Sequence, residues 1–182
     1  MKKNNVEKII FAGHGGQGIL FMGRVLAYAA MLDGKHTTWM PYYGAEVRGG
    51  PAYSMVVVSD REIASPFVEN PTSCAIMNES AFDKFQKQLE PKGTLFVNSS
   101  LVEKVPASKD IFVVKTKATH AAAKLGNTKV ANMVMLGTYV AKTKLVTMRS
   151  VIEALRNFIS QNNEALLKLN EAAFKKGASA AR

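Results

Sequence analysis

The sequence is poor in cysteine: its 182 residues include one, Cys74. A single thiol excludes a disulfide within the chain. It also excludes an iron–sulfur cluster held by cysteines of this chain alone, because such a cluster needs several thiolates. The histidines His14, His36 and His120 lack the spacing of metal ligands, so zinc is not expected either. We therefore expect no metal centre built from this chain alone.

Long apolar runs are missing as well. No stretch reaches the length of a membrane span, and the polar first five residues lead into a short strand rather than a signal-peptide core. We therefore expect a cytoplasmic protein with no membrane partner. The length suits one domain, and 47% hydrophobic with 21% charged residues is an ordinary globular composition.

Acidic residues are scarce relative to basic ones, and the formal net charge is +10. Much of the excess lies between Lys104 and Lys144, where eight lysines face only Asp110. A basic surface attracts nucleic acid, an acidic protein partner or a polyphosphate ligand, and a merely solvated lysine face explains it equally well. No nucleic-acid motif accompanies the lysines, so we expect no nucleic-acid partner. Charge alone does not choose among the other interpretations.

The order of the expected elements indicates an α/β fold. Apolar runs predict strands over residues 6–12, 52–59, 74–77, 94–97 and 111–114, with another short strand beginning at 37 and a loop over 40–50. Helical spacing predicts helices over 19–31, 80–89, 119–125, 130–141, 147–159 and 163–176. We predict a three-layer α/β/α Rossmann-like domain with a mainly parallel, mixed sheet.

The end of the chain carries two amphipathic helices, expected to pack on the domain's own core or to dock on a partner subunit. Gly177 stands where a glycine that ends a helix belongs. We predict a single domain over residues 1–177 and a loose tail over 178–182.

The most unusual segment is a glycine loop (residues 13–18), which follows an apolar strand and precedes an amphipathic helix. Gly13, Gly15 and Gly18 fit the spacing G-x-G-x-x-G, and Gly16 adds a further glycine. Strand, glycine turn and helix in this order can hold an anionic group at the helix N-terminus. Such turns also occur merely to let a helix pack tightly on a sheet, and both interpretations stay open.

A dinucleotide site would need an acidic residue at the end of the second strand. Asp33 precedes that strand, and Trp39 stands near the expected place, so the dinucleotide interpretation is weak. His14 has no carboxylate or nucleophile near it in sequence, and we assign it no catalytic role. Gln17 is expected to hydrogen-bond a ligand or a neighbouring loop.

A second loop (residues 41–52) reads PYYGAEVRGGPA and follows a strand end, where open α/β folds bind ligands. Arg48 offers a planar fork for phosphate or carboxylate, although a local ion pair with the preceding glutamate is an equal alternative. Gly49 and Gly50 allow close backbone approach. Tyr43 is suited to stack on a flat ring or to pack against a partner.

Together the two loops resemble the gamma subunits of the 2-oxoacid:ferredoxin (acceptor) oxidoreductases. That family opens with G-x-G-G-Q-G and continues with P-x-Y-G-x-E-x-R-G-G. The matching residues here are Gly13, Gly15, Gly16, Gln17 and Gly18, then Pro41, Tyr43, Gly44, Glu46, Arg48, Gly49 and Gly50. Residues 132–137 and 170–177 resemble the family's N-x-x-x-L-G and N-x-x-A-F-x-x-G helices. Tyr42 and Pro51 depart from the serine and threonine common there.

The resemblance implies a fold like the gamma domain of pyruvate:ferredoxin oxidoreductase. It also implies oxidative decarboxylation of a 2-oxoacid with coenzyme A, giving acyl-coenzyme A, carbon dioxide and reduced ferredoxin; we favour 2-oxoglutarate as the 2-oxoacid. In this family, thiamine diphosphate lies between the alpha- and beta-type parts, and the iron–sulfur clusters lie outside the gamma part. By resemblance, this chain alone binds no cofactor and is inactive.

By the same resemblance, the chain's partners are alpha-, beta- and ferredoxin-like subunits and coenzyme A, with a homodimer when isolated. We expect it to shape the interface with coenzyme A or the other subunits, with no catalytic and no metal-binding residue. The expected binding residues are Gly13, His14, Gly15, Gly16, Gln17, Gly18, Tyr43, Arg48, Gly49 and Gly50. The alternative is a stand-alone nucleotide-binding or regulatory module, which would bind ATP, flavin or coenzyme A as the isolated chain.

Overall fold

A computed structural model describes residues 6–44, 50–104 and 106–181. The strands are β1 (Val6–His14), β2 (His36–Tyr43), β3 (Pro51–Ser59), β4 (Ser73–Ile76), β5 (Thr94–Asn98) and β6 (Phe112–Thr116). The helices are α1 (Ile19–Leu32), α2 (Glu79–Phe85), α3 (Ala118–Ala123), α4 (Ala131–Thr143), α5 (Met148–Phe158) and α6 (Glu164–Ala180). Each strand and helix expected from the sequence is present. No helix within these ranges is long and apolar enough to cross a membrane.

The sheet is mixed, in the order β2-β3-β1-β4-β5-β6. β1 lies at the junction of its two halves, antiparallel to β3 and parallel to β4. β2 continues the antiparallel half, whereas β5 and β6 continue the parallel half. The carboxyl ends of β1, β4, β5 and β6 therefore meet at one end of the sheet.

Side chains of β1 contribute alternately to two hydrophobic cores, because successive side chains of a strand point to opposite faces of the sheet. Ile9 and Phe11 pack in the larger core with α1, α4, α5 and α6. Ile10 and Ala12 pack in the smaller core with α2. The sheet is thus the middle of three layers, which confirms the predicted fold class. α1 and α2 follow the neighbouring strands β1 and β4 but cover opposite faces, so β1 and β4 form a topological switch point of the kind that binds ligands in open α/β sheets.

The second strand is longer than the sequence suggested. β2 extends from His36 to Tyr43, so the prediction of a loop from Met40 was wrong for residues 40–43. The strand passes through Pro41, which pairs with Ser54 of β3. Proline lacks a backbone N–H, but it is tolerated here because β2 is the outermost strand on its side of the sheet.

The last helix does not end at Gly177, and the predicted C-terminal cap there was wrong. α6 continues to Ala180, and Gly177 is buried in its interior. A Cβ atom at Gly177 would overlap the carbonyl oxygen of Val134 on α4, and one at Gly137 would overlap the carbonyl oxygen of Phe174 on α6. These two glycines let the backbones of α4 and α6 come into contact. Glycine is therefore needed at Gly177 for helix packing rather than for helix termination.

Candidate functional site

The glycine loop connects β1 to α1 at the carboxyl end of the sheet. Gly13 and His14 are the last residues of β1 and pair with β3. Gly16 and Gly18 have positive φ values of 94° and 71°, a backbone region that favours glycine. α1 begins directly after Gly18. We call the glycine loop, together with Gly50, Met77 and Asn132, the glycine-loop corner.

Gln17 bonds to the protein itself rather than pointing away from it. Its Oε1 accepts a hydrogen bond from the backbone N–H of His14 at 3.0 Å. Its Nε2 donates to the carbonyl oxygen of Met77, the residue after β4, at 3.2 Å. Gln17 therefore links the carboxyl ends of β1 and β4 across the switch point. Of the two uses left open by the sequence, the structure shows the contact with a neighbouring segment.

Asn132, in the first turn of α4, holds the other side of the loop. Its Nδ2 donates to the carbonyl oxygen of Gly18 at 3.0 Å. A Cβ atom at Gly18 would overlap the Asn132 side-chain amide, so the close approach also needs a glycine. The sequence presented Asn132 only as a motif position, because nothing local indicates a partner so distant along the chain.

The two loops meet through their backbones. The N–H of Gly15 donates to the carbonyl oxygen of Gly50 at 2.9 Å. Tyr43, at the end of β2, is 50% exposed. Arg48 and Gly49 lie outside the residues that the structure describes. The structure thus brings Gly15 and Gly50 together at the carboxyl end of the sheet.

The N-terminus of α1 has no side-chain cap in the described part of the chain, and its first turn holds no acidic residue. Three amides of the glycine loop are already used: that of His14 by Oε1 of Gln17, that of Gly15 by Gly50, and that of Gln17 by the carbonyl oxygen of His14 at 3.2 Å. The first amides of α1 have no partner within their own helix. They are the donors at this corner that suit an anionic group.

His14 is half-buried and turns back on the loop. Its Nδ1 lies 2.8 Å from the carbonyl oxygen of Gly15, so Nδ1 carries the hydrogen of this bond. Among the hydrogen bonds of the described residues, none joins the His14 ring to a carboxylate or a nucleophile. The geometry therefore gives His14 a positioning contact within the loop and provides no acid–base pair.

Tyr42 lies on the opposite face of β2 from Tyr43. Its ring stacks on that of Tyr53 in β3, with 4.4 Å between centroids. The ammonium of Lys84 lies 4.6 Å from the centroid of the Tyr53 ring. Burial, and to a smaller extent the neighbouring Tyr42, raises the pKa of the Tyr53 hydroxyl. Tyr42, a departure from the family pattern, thus serves a contact between two strands.

A buried asparagine at the carboxyl end of β5 bonds to the segment that follows β6, much as Gln17 and Asn132 bond to neighbouring segments at the glycine loop. Asn98 donates to Oγ1 of Thr119 at 2.9 Å and accepts from the backbone N–H of Ala118 at 3.1 Å. These bonds join β5 to α3. No sequence pattern indicated a role for Asn98. Side-chain amides of Gln17, Asn98 and Asn132 thus hold together the segments that leave the carboxyl ends of the strands.

Cys74 lies in β4 and is fully buried. Burial raises the pKa of its thiol far above the ordinary range. A thiol held neutral in the sheet is unsuited to ligate a cluster, since the ligand is the thiolate. No group of three or more histidine, cysteine, aspartate or glutamate side chains in the described residues is placed to hold a metal ion.

Comparison with known proteins decides the family. The family model for pyruvate ferredoxin/flavodoxin oxidoreductase matches residues 8–180. The chain belongs to this family. It is 36% identical over 165 residues to the 2-oxoglutarate synthase subunit KorC of Methanothermobacter marburgensis, covering 87% of this chain and 89% of that protein.

Solved structures agree with this placement. The gamma subunit of a keto/oxoacid ferredoxin oxidoreductase from Geobacter sulfurreducens PCA is 32% identical, with a TM-score of 0.83 over 96% of this chain and 98% of that one. A 2-oxoglutarate:ferredoxin oxidoreductase from Magnetococcus marinus, with 2-oxoglutarate, coenzyme A and succinyl-CoA bound, gives a TM-score of 0.90 at 22% identity. That likeness covers 98% of this chain but 31% of the other, and it shows the fold alone. Within its family, this chain is a gamma subunit of a 2-oxoacid:ferredoxin oxidoreductase.

Proposed function

We propose that this gamma subunit serves a heteromeric enzyme that oxidises 2-oxoglutarate, and that its glycine-loop corner forms part of the wall against which coenzyme A binds. The match to a 2-oxoglutarate synthase subunit over most of both chains carries the substrate proposal. The enzyme would convert 2-oxoglutarate, coenzyme A and oxidised ferredoxin into succinyl-coenzyme A, carbon dioxide and reduced ferredoxin.

The chemistry of electron transfer and decarboxylation belongs to partner subunits in this proposal. The family resemblance assigns thiamine diphosphate and the iron–sulfur clusters to those partners. The gamma subunit contributes shape and hydrogen-bond donors, and the described residues supply neither a metal cluster nor an activated nucleophile at the corner.

The glycine-loop corner supports the coenzyme A proposal through its donors. The first amides of α1 are free of a side-chain cap there, and the Gly15–Gly50 hydrogen bond joins the glycine loop to the segment that contains Arg48. Coenzyme A carries several phosphate charges, which helix N-terminal amides and a guanidinium group bind well. The related enzyme from Magnetococcus marinus has coenzyme A bound.

The substrate proposal is tested on the assembled enzyme purified with its native partners. Ferredoxin reduction is measured with 2-oxoglutarate, pyruvate and 2-oxoisovalerate at saturating coenzyme A. We expect kcat/KM for 2-oxoglutarate to exceed the others by on the order of tenfold or more. A higher value for pyruvate or 2-oxoisovalerate would contradict the choice of 2-oxoglutarate. Recovery of the native chain without any thiamine-dependent partner would contradict the heteromer itself.

The coenzyme A proposal is tested by Arg48→Ala in the same assembled enzyme. Loss of a charge-assisted hydrogen bond, worth about 1.5–3 kcal/mol, should raise the KM for coenzyme A roughly tenfold or more and leave the KM for 2-oxoglutarate unchanged. Arg61→Ala is the matched control, because Arg61 is exposed after β3, at the opposite end of the sheet. An unchanged KM for coenzyme A would remove Arg48 from this role.

A further inference from the structure

A groove borders β6, far along the sheet from the switch point. It has a volume of about 530 Å³ and lies between β6 and the helices α3, α4 and α6. Val114 and Val134 contribute to its apolar floor. Its charged lining consists of Lys115, Lys117, Lys142 and Lys176. We call this the β6 groove.

β6 is the outermost strand of the sheet and, within the described residues, pairs only with β5. The N–H of Phe112 and the carbonyl oxygen of Thr116 are used on the β5 side, in hydrogen bonds of 2.8 and 2.9 Å. Because backbone groups of a paired strand alternate between its two sides, the N–H and carbonyl groups of Val113 and Lys115 face the open side. The open side therefore offers a ladder for a further strand.

The open edge also exposes apolar surface. Phe112 is 65% exposed and Val113 is 40% exposed. Natural sheets usually protect such an edge with proline, charged side chains such as lysine, bulges or a covering segment. β2, at the other edge, contains Pro41, whereas β6 contains Lys115 but no proline and leaves Phe112 and Val113 exposed. An exposed apolar edge of this kind is typical of a surface that another chain covers.

The charge of the groove has no counter-ion among its lining residues, none of which is acidic. The ion pairs within 4 Å that the described residues form involve neither Lys115, Lys117, Lys142 nor Lys176. Lys142 also borders a neighbouring groove that contains Glu7. Because Val114 faces the side of the sheet that α4 and α6 cover, the Lys115 side chain projects from the other face, so the lysines flank the open edge of β6 on both faces. Clustered lysines of this kind attract a carboxylate-rich partner, because complementary charge steers and orients association.

We propose that an acidic, extended segment of a partner subunit adds to β6 as a seventh strand, with its carboxylates against Lys115, Lys117 and Lys176. The proposal rests on the proposed function, since it requires a heteromer. Strand addition supplies main-chain hydrogen bonds, while alternate side chains of the added strand reach the flanking surface. The basic stretch whose partner the sequence left open thereby acquires a docking role.

The first test changes the charge of the groove in the full heteromer. The tagged gamma subunit carrying Lys115→Glu and Lys117→Glu is co-expressed with its partners, and the recovered complex is quantified. The matched control is Lys124→Glu with Lys129→Glu, an equal charge change at two exposed lysines that do not line the groove. We expect the groove variant to lose on the order of tenfold or more in affinity for the partner, and the control to assemble like the wild type.

The second test changes the strand edge without changing charge. Val113→Pro removes an N–H on the open side and keeps the bonds to β5, so it should weaken assembly while circular dichroism and the melting temperature stay near the wild type. Carbodiimide cross-linking of the wild-type complex should join Lys115, Lys117 or Lys176 to aspartate or glutamate residues within one short partner segment, identified by mass spectrometry.

The outcomes separate this docking proposal from the proposed function. An active heteromer that forms normally with the groove variant and gives no such cross-links overturns the docking proposal alone. Normal assembly with a raised KM for coenzyme A in the groove variant also overturns it, since the groove would then hold a small anion. A wild-type chain that recovers no thiamine-dependent partner overturns the proposed function.

Discussion

The glycine-loop corner and the β6 groove belong to the same sheet but use their polar groups in opposite ways. At the corner, Gln17 bonds to Met77 and Asn132 bonds to Gly18, so side-chain amides are used within the protein. In the groove, Lys115 and Lys117 form no ion pair within 4 Å among the described residues. The first region holds backbone segments together, and the second presents charge to the outside.

The segment with the strongest sequence motif is therefore not the segment with the most open surface. The glycine loop matches a ligand-binding pattern, yet part of its hydrogen-bonding capacity stabilises its own connection between β1, β4 and α4. The groove has no motif, because its lysines come from separate elements. Substitutions at the corner should therefore lower the free energy of unfolding, and substitutions in the groove should lower assembly instead.

The largest effect is expected for Gly18→Ala. The left-handed backbone and the overlap with Asn132 should together lower the free energy of unfolding by about 3 kcal/mol, measured by urea denaturation. Gly16→Ala is the control, because Gly16 also has a positive φ but no heavy atom within 4 Å of an added Cβ. It should cost about 1–2 kcal/mol from backbone strain. Equal losses in the two variants would show that contact with Asn132 does not matter.

Gln17→Ala should have the next largest effect. It removes the bonds to His14 and Met77 and leaves the half-buried N–H of His14 without its partner, while the carbonyl oxygen of Met77 keeps only the longer bond from Asn98 at 3.5 Å. The loss should cost about 1–3 kcal/mol in the free energy of unfolding. Gln88→Ala, in the turn after α2, is the matched amide control and should change it by no more than about 0.5 kcal/mol. Unchanged stability with a raised KM for coenzyme A would instead mean that Gln17 faces the ligand.

Cys74, buried in β4, allows a test of stability against pH. Burial raises the pKa of its thiol, so the folded protein keeps the proton at a pH where the unfolded chain loses it. Its contribution to stability is complete below the ordinary pKa of cysteine, about 8.5, and falls by about 1.4 kcal/mol per pH unit above it. Cys74→Ala should reduce the loss of stability between pH 8 and pH 9.5, measured by denaturation at each pH. Equal losses in both proteins would contradict this account.

The smallest effect on folding is expected in the β6 groove. Lys115→Glu with Lys117→Glu should change the free energy of unfolding of the isolated chain by about 0.5 kcal/mol or less, because exposed lysines contribute little to stability. Any difference from the wild type should shrink as salt is added, since salt screens exposed charges. A decrease of about 2 kcal/mol in the free energy of unfolding would show that these lysines stabilise the fold. It would contradict the distinction between the β6 groove and the glycine-loop corner.

Local patterns in the sequence predicted much of the fold. Apolar runs located the strands, helical spacing located the helices, and the two glycine-rich loops indicated the family. Predictions were wrong where a contact between distant segments of the chain overrode a local sequence pattern. Gly177 looked like a helix end, but its lack of a side chain serves the approach to Val134. Pro41 looked like the start of a loop, but an outer strand accepts a residue without an N–H.

The amino-acid sequence was sufficient to predict the α/β class, the glycine loop between a strand and a helix, and the family that the two loops resemble. These follow from residues close together in the chain, whose periodicity and backbone freedom are visible locally. Only the folded chain shows that Gln17 bonds to Met77, that Asn132 supports Gly18, and that lysines of β6 and α6 flank one open strand edge. Those relations arise when the sheet brings distant segments within hydrogen-bonding and Coulomb range, and no local pattern specifies them.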